Sequence, residues 1–155
     1  MEHQIIVRNA TIADAAEISR FNIAMAWETE QKRLNKSLVE EGVKVLCRTP
    51  EHGFYMAAEI DGLMVGTLMI TKEWSDWRNG FFWWIQSVYV LPEYRRRGVY
   101  RKLYATIKTM AAEKEGVCGC RLYVEKENIL AQQVYSKLGM EETRYKILEE
   151  SFDRK

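Results

Sequence analysis

The sequence predicts a fold of the α/β (α+β) class, with elements in the order β-α-α-β-β-β-α-β-α-β, and two local signals carry most of that prediction. The first is Asp61-Gly62, set between the apolar runs Phe54–Ile60 and Leu63–Ile70. An Asp-Gly pair favours a tight hairpin because both positions must take positive φ. The second is a change of hydrophobic period near Gly98. Val88 and Val90 alternate against Tyr89, as in a half-buried strand, whereas Val99, Leu103, Ile107 and Met110 recur at helical spacing.

In chain order, Gln4 to Arg8 alternates as a first strand. Asn9 or Thr11 can then cap a helix that Ala13, Ala16, Ile18, Phe21 and Met25 continue. A second helix is expected from about Ser37 to Cys47, with Leu38, Val39, Val43 and Leu46 inward, and Pro50 and Gly53 close it. After the hairpin, Trp74 to Gly80 is expected as a loop and Phe81 to Val90 as a strand, ended by Pro92. Gly98 to Glu115 follows as a helix, Cys120 to Glu125 as a strand, Ile129 to Leu138 as a helix and Thr143 to Leu148 as a last strand.

A chain of 155 residues with 47% apolar content can bury one good core, so a single domain over 1–155 is expected. The charge is balanced, with 23 basic and 22 acidic residues, so no global field recruits nucleic acid or an anionic membrane surface. No run approaches the ~20 apolar residues of a membrane span, and no apolar targeting segment opens the chain. A cytoplasmic protein is the expectation. Cys47, Cys118 and Cys120 form no Cys-x-x-Cys pair and read as reduced thiols, and with His3 and His52 standing apart in the sequence no metal site is expected.

Positive charge is local to residues 95–102, and Arg95-Arg96-Arg97-Gly98 sits at the handover from a strand to a helix N-terminus. The first helical turn offers unpaired N–H groups and the positive end of the macrodipole, so with the arginines it suits a phosphate or pyrophosphate. An Arg-x-x-Gly after a strand ending in Val-x-Pro resembles the acyl-coenzyme A signature of the GCN5-related N-acetyltransferase (GNAT) superfamily. A later block agrees: Asn128, Ala131, Tyr135, Gly139 and Met140 match that family's Asn, Ala, Tyr and Gly-apolar pattern in order and spacing. The family pattern has Gly or Ala where this chain has Tyr100.

The resemblance implies a mixed, mostly antiparallel central sheet flanked by helices, binding acetyl-CoA. It assigns the diphosphate to Arg95, Arg96, Arg97, Gly98, Val99, Tyr100 and Arg101. It assigns the pantetheine amides to the backbone of Val88 and Val90 beside a bulge, and further cofactor contacts to Asn128 and Ala131. Tyr135 would protonate the departing thiolate, a task suited to a phenol of pKa near ~10. The same tyrosine shares a helical face with Ala131 and Leu138 and reads also as a core residue, and Asn128 also reads as a simple N-cap.

On the acceptor side, many relatives place a carboxylate where this chain has Gln86, which cannot act as a base. Glu28 and Glu30, at the end of the first helix, are the candidates that remain, and each reads also as a solvated helix end. Trp27, Trp74, Trp77, Phe81, Phe82, Trp83 and Trp84 exceed the needs of a small core. Trp27, Glu28, Trp84 and Gln86 are therefore expected to border a pocket for an amine on an apolar body. The competing expectation is that a helix, or a second subunit of a homodimer, covers Phe82 and Trp84. Two functions follow: an acetyl-CoA-dependent N-acetyltransferase acting on a primary amine of a small molecule or peptide by direct attack in a ternary complex, or a non-catalytic acyl-CoA-binding module.

Overall fold

The computed structural model describes residues 3–152, which fall into two compact units divided after Leu122. The first unit contains β1 (Ile5–Asn9), α1 (Ala15–Glu30), α2 (Lys36–Arg48), β2 (Gly53–Ile60), β3 (Leu63–Ser75), β4 (Gly80–Val90), α3 (Val99–Glu113) and β5 (Val117–Arg121). The second contains α4 (Ile129–Lys137). The five strands stand in chain order in one sheet; β1 to β4 pair antiparallel and β5 joins β4 in parallel. This is the mixed, mostly antiparallel architecture that the family resemblance implies.

Helices cover the sheet because each presents one apolar stripe. Ile18 and Phe21 of α1 and Val43 and Leu46 of α2 share a core cluster with Tyr55, Ala57 and Tyr89. Strand side chains alternate, so Met56 and Ala58 point to the opposite face, where α3 lies. A Cβ on Gly66, which pairs with Ala58, would stand 3.0 Å from Val99 Cγ1, so glycine there lets α3 approach the strand. Leu103 and Ile107 of α3 are fully buried, and truncating either to alanine would cost about 2–5 kcal/mol.

Local chemistry sets most boundaries. Thr11 caps a short 3-10 turn, Ile12–Asp14, in a reciprocal capping box with Asp14, and α1 starts only after it. Asp61 and Gly62 have φ of 51° and 79°, the paired left-handed residues that a two-residue hairpin requires.

Three expectations shift. Trp74 and Ser75 continue β3, so the expected loop shrinks to the turn at residues 76–79 before β4. The fifth strand is Val117–Arg121 rather than Cys120–Glu125. Its start is fixed by pairing: Phe81 N–H donates to Gly116 O at 2.7 Å, and Gly119 lies opposite Phe82, whose ring leaves no room for a Cβ. Residues 143–148 form no strand, although their alternation suggested one. A strand needs a ladder partner and a face to bury, and Tyr145, Ile147 and Leu148 are 71%, 65% and 92% exposed.

Candidate active site

Along β3 and β4 the register slips between Thr67 and Met69, so Ser87 and Val88 together stand opposite Leu68. This is a β-bulge, and Ser87 takes φ of 50° to form it. On the other side of β4, pairing with β5 runs from Phe81 to Trp84, and no strand among the described residues continues it toward Val90. The sheet therefore opens beside Val88 and Val90, and the chain leaves β4 through Leu91 and a 3-10 turn at Pro92–Tyr94 into the arginine segment.

That segment ends on Gly98, in the left-handed region at φ 83°, and α3 begins at Val99 with no side-chain hydrogen bond capping its N-terminus. A Cβ at Gly98 would meet nothing within 4 Å. Arg96 is also left-handed, at φ 65°, and Arg97 lies over the Tyr94 ring at 5.3 Å. Arg101 is exposed on the first turn of α3, and the Val99 side chain is buried, which leaves only its backbone for a ligand. A free helix start, three arginines and an open strand edge together form a fit site for a diphosphate joined to an amide-bearing arm.

A cavity of about 300 Å³ lies against this edge, lined by Met25, Glu28, Val88, Val90, Arg95 and Tyr100 among others. Within it Glu28 is held at both oxygens. Arg95 Nη2 donates to Oε2 at 2.8 Å and the Tyr89 hydroxyl donates to Oε1 at 3.0 Å. Arg95 Nε also donates to Val90 O at 2.9 Å, and the guanidinium lies 5.4 Å from the Tyr89 ring centre. The Arg95 hydrogen bond, against partial desolvation and with help from Tyr89, holds the Glu28 carboxyl below the usual carboxylate range. Burial first, then donation to Glu28, pushes the Tyr89 phenol up. Glu28 is thus an ionised anion at neutral pH and a poor base while Arg95 stays on it.

A second cavity, about 460 Å³, lies between α1, α2 and the sheet, and Glu30 is among its lining residues. Met25 and Thr29 border both cavities, and Ser87 of the second adjoins Val88 of the first. Gln86 accepts a hydrogen bond from Thr71 Oγ1 at 2.8 Å. Trp27 is half exposed under Arg33, and neither Trp27 nor Trp84 lines either cavity. Phe82 is buried beneath two guanidinium groups, Arg121 at 3.7 Å and Arg78 at 5.0 Å, so side chains of this chain cover its ring.

In the second unit, Asn128 Oδ1 accepts the Ala131 N–H at 3.2 Å and so caps α4, with Tyr135 two turns on and half-buried. The structure thus gathers Glu28, Val88, Val90, Arg95 and Tyr100 around one cavity and Glu30 at another. Sequence reasoning missed Tyr89, Ser87, Asn22 and Tyr55. Asn22 carried a signal, being a polar residue in the row Ile18, Asn22, Met25 that otherwise faces the core.

This architecture, a mixed sheet opened at a bulged strand that runs into an uncapped, arginine-flanked helix, defines an α/β protein with a helix start suited to a phosphate-bearing ligand. The sequence matches the model of the Acetyltransferase (GNAT) family over residues 14–140, and the chain belongs to that family. It is similar to the crystal structure of a possible acetyltransferase from Clostridium difficile 630, with 43% identity, TM-score 0.90, and 97% of this chain and 99% of that one covered. The aminoglycoside N-acetyltransferase AAC(6')-Iy in complex with CoA shares the fold, with TM-score 0.77, 97% of each chain covered and 19% identity. Aminoglycoside N(6')-acetyltransferase type 1 of Salmonella typhimurium is 36% identical over 62 residues, 38% of this chain; the chain spans 40% of that relative's length.

Proposed function

We propose that the chain is an acetyl-CoA-dependent N-acetyltransferase that acylates a primary amine of a small molecule or peptide by direct attack in a ternary complex. The observation that carries this reading, in a member of the GNAT family, is the unfinished N-terminus of α3 beside Arg95–Arg97 and the open edge of β4. The backbone N–H groups from Val99 to Arg101 and the arginines would hold the diphosphate, and the backbone of Val88 and Val90 would pair with the pantetheine amides. Acetyl-CoA supplies a thioester, whose acetyl carbon is open to attack by an amine.

The chain's own groups do the rest. Tyr135 would give its phenolic proton to the departing thiolate. Glu28, with Glu30 at the neighbouring cavity, would draw in the substrate ammonium and accept its proton through water. Arg95 now occupies the place on Glu28 that this ammonium would take. Drawing Arg95 toward a diphosphate would free the carboxylate, so cofactor binding should precede amine binding. This coupling is supported by the hydrogen bonds that join Arg95 to both Glu28 and Val90.

The test is a panel of amines with acetyl-CoA and a free-thiol readout. Amino sugars belong in it because curated relatives are named aminoglycoside N(6')-acetyltransferases, beside peptides and simple primary amines. Amine-dependent thiol release is expected. Tight coenzyme A binding with no release above hydrolysis for any amine would favour the non-catalytic binding module instead.

A further inference from the structure

The two oxygens of Glu28 are held by groups set very differently in the fold. Oε2 accepts from Arg95 Nη2 at 2.8 Å, and Oε1 accepts from the Tyr89 hydroxyl at 3.0 Å. The Arg95 side chain is 45% exposed on the segment that leads into α3, whereas Tyr89 is 6% exposed in the core cluster, its ring 5.2 Å from that of Phe21. Turning Arg95 away disturbs little packing, but turning Tyr89 away would open a hole in a close-packed core. Of the two partners, only the arginine is free to follow a ligand.

The position of Glu28 makes the other partner necessary. It lies in the last turn of α1, at the negative end of the helix, where a carboxylate is disfavoured. Among the described residues, Arg95 is the one cation that lines its cavity; Tyr100 of α3 borders the same space, and Glu93 of the 3-10 turn acts on the Tyr89 phenol. With Arg95 drawn off and no second donor, the carboxylate would turn outward to water.

We propose that Tyr89 is a positioning residue for the acceptor amine: once Arg95 turns to the cofactor diphosphate, the Tyr89 hydroxyl alone keeps Glu28 Oε1 in place and leaves Oε2 directed into the cavity for the substrate ammonium. The proposal rests on the reading of Glu28 as the group that draws in the amine. It divides the carboxylate into one oxygen held throughout and one that exchanges partners. Tyr89 touches no reactant and transfers no proton. The hydroxyl that directs the carboxylate also favours its anionic form, because a hydrogen bond donated to the charged form stabilises that form.

Tyr89→Phe keeps the ring and its contact with Phe21 and removes only the hydroxyl, so the fold should be retained. The first arm needs no turnover. The Glu28 side-chain carboxyl is titrated by carbon-13 NMR in Arg95→Ala, which reproduces the arginine's departure without cofactor, and in Arg95→Ala combined with Tyr89→Phe; Glu28→Gln assigns the signal by removing it. Loss of the hydroxyl should move the titration to higher pH by about one unit. The second arm is kinetic and uses the panel amine with the fastest thiol release. Tyr89→Phe should raise its KM about tenfold with a smaller change in kcat, leave acetyl-CoA affinity unchanged and move the acidic limb of kcat/KM to higher pH. In a Glu28→Gln background the same substitution should change none of these.

A Glu28 titration that is the same with and without the hydroxyl would overturn the proposal, whatever the enzyme does. So would an amine KM that Glu28→Gln raises and Tyr89→Phe leaves alone, a result that keeps Glu28 in its role and removes Tyr89 from it. If Glu28→Gln matches wild type with the true acceptor, the reading of Glu28 falls and the positioning role falls with it. A shifted titration in a chain that acetylates none of the amines would support the hold of Tyr89 on Glu28 and count against the enzymatic reading alone.

Discussion

At the start of α2, Asn35 Oδ1 accepts the Leu38 N–H at 3.1 Å, while α3 starts on a left-handed glycine with no side chain to do the same and with three arginines immediately before it. Both helices begin in the same unit and both pack an apolar stripe on the sheet, so folding alone would be served by the same kind of cap at each. An N-cap side chain typically contributes about 1 kcal/mol. Its omission at α3 leaves N–H groups and the positive dipole end exposed, and the adjoining guanidinium groups raise the local positive charge further. The start of α2 is completed by the chain itself, whereas the start of α3 lacks such a cap, and it is there that we propose the diphosphate binds.

This difference assigns binding to α3 and leaves the chemistry to groups elsewhere, so the largest effect is expected from a residue at neither helix start. Tyr135→Phe should lower kcat by roughly 10²–10⁴ with a much smaller change in acetyl-CoA affinity, read from steady-state kinetics beside a binding isotherm. Wild-type turnover in that variant would return Tyr135 to a packing role on α4. Next comes the arginine segment itself. Replacing Arg95 and Arg97 together by alanine should weaken coenzyme A by on the order of 1.5–3 kcal/mol for each charge-assisted hydrogen bond removed, less after screening by salt. An unchanged affinity would mean that the diphosphate lies elsewhere.

Breaking the finished terminus should do the opposite. Asn35→Ala should lower stability by about 1 kcal/mol in a denaturant titration and leave coenzyme A affinity as it was. An effect confined to alkaline pH is expected at Tyr55, where burial pushes the phenol from 10.0 up to about 12. The folded state therefore favours the neutral phenol. That contribution is fully present below pH 10.0 and is lost as pH rises through about 12. Tyr55→Phe should flatten this alkaline loss in a stability–pH profile, and an unaltered profile would show that Tyr55 does not titrate between the two states.

Much of the fold was legible because its signals are local. Asp61-Gly62 gave the hairpin through its two positive φ values, and Gly98 marked the start of α3 by the change of hydrophobic period. What the sequence could not show was set by partners distant in the chain. The fifth strand begins at Val117 because β4 pairs there, and residues 143–148 have the alternation of a strand but no ladder. The site divides the same way. The arginine segment and Glu28 could each be singled out, yet nothing local indicates that Arg95 reaches across 67 positions to Glu28, or that the Tyr89 hydroxyl donates to the same carboxylate.

The most direct measurement places the same new charge at both helix starts. Coenzyme A is titrated calorimetrically into Gly98→Asp and Asn35→Asp, with thermal midpoints measured for each. Open space surrounds Gly98, and aspartate tolerates positive φ better than most residues, so the fold should survive with a loss of about 1 kcal/mol or less. A carboxylate there would repel a diphosphate, so Gly98→Asp should weaken coenzyme A about tenfold or more, while Asn35→Asp should leave its affinity unchanged. Equal affinities in the two variants and the wild type would contradict the assignment of the α3 N-terminus to the cofactor.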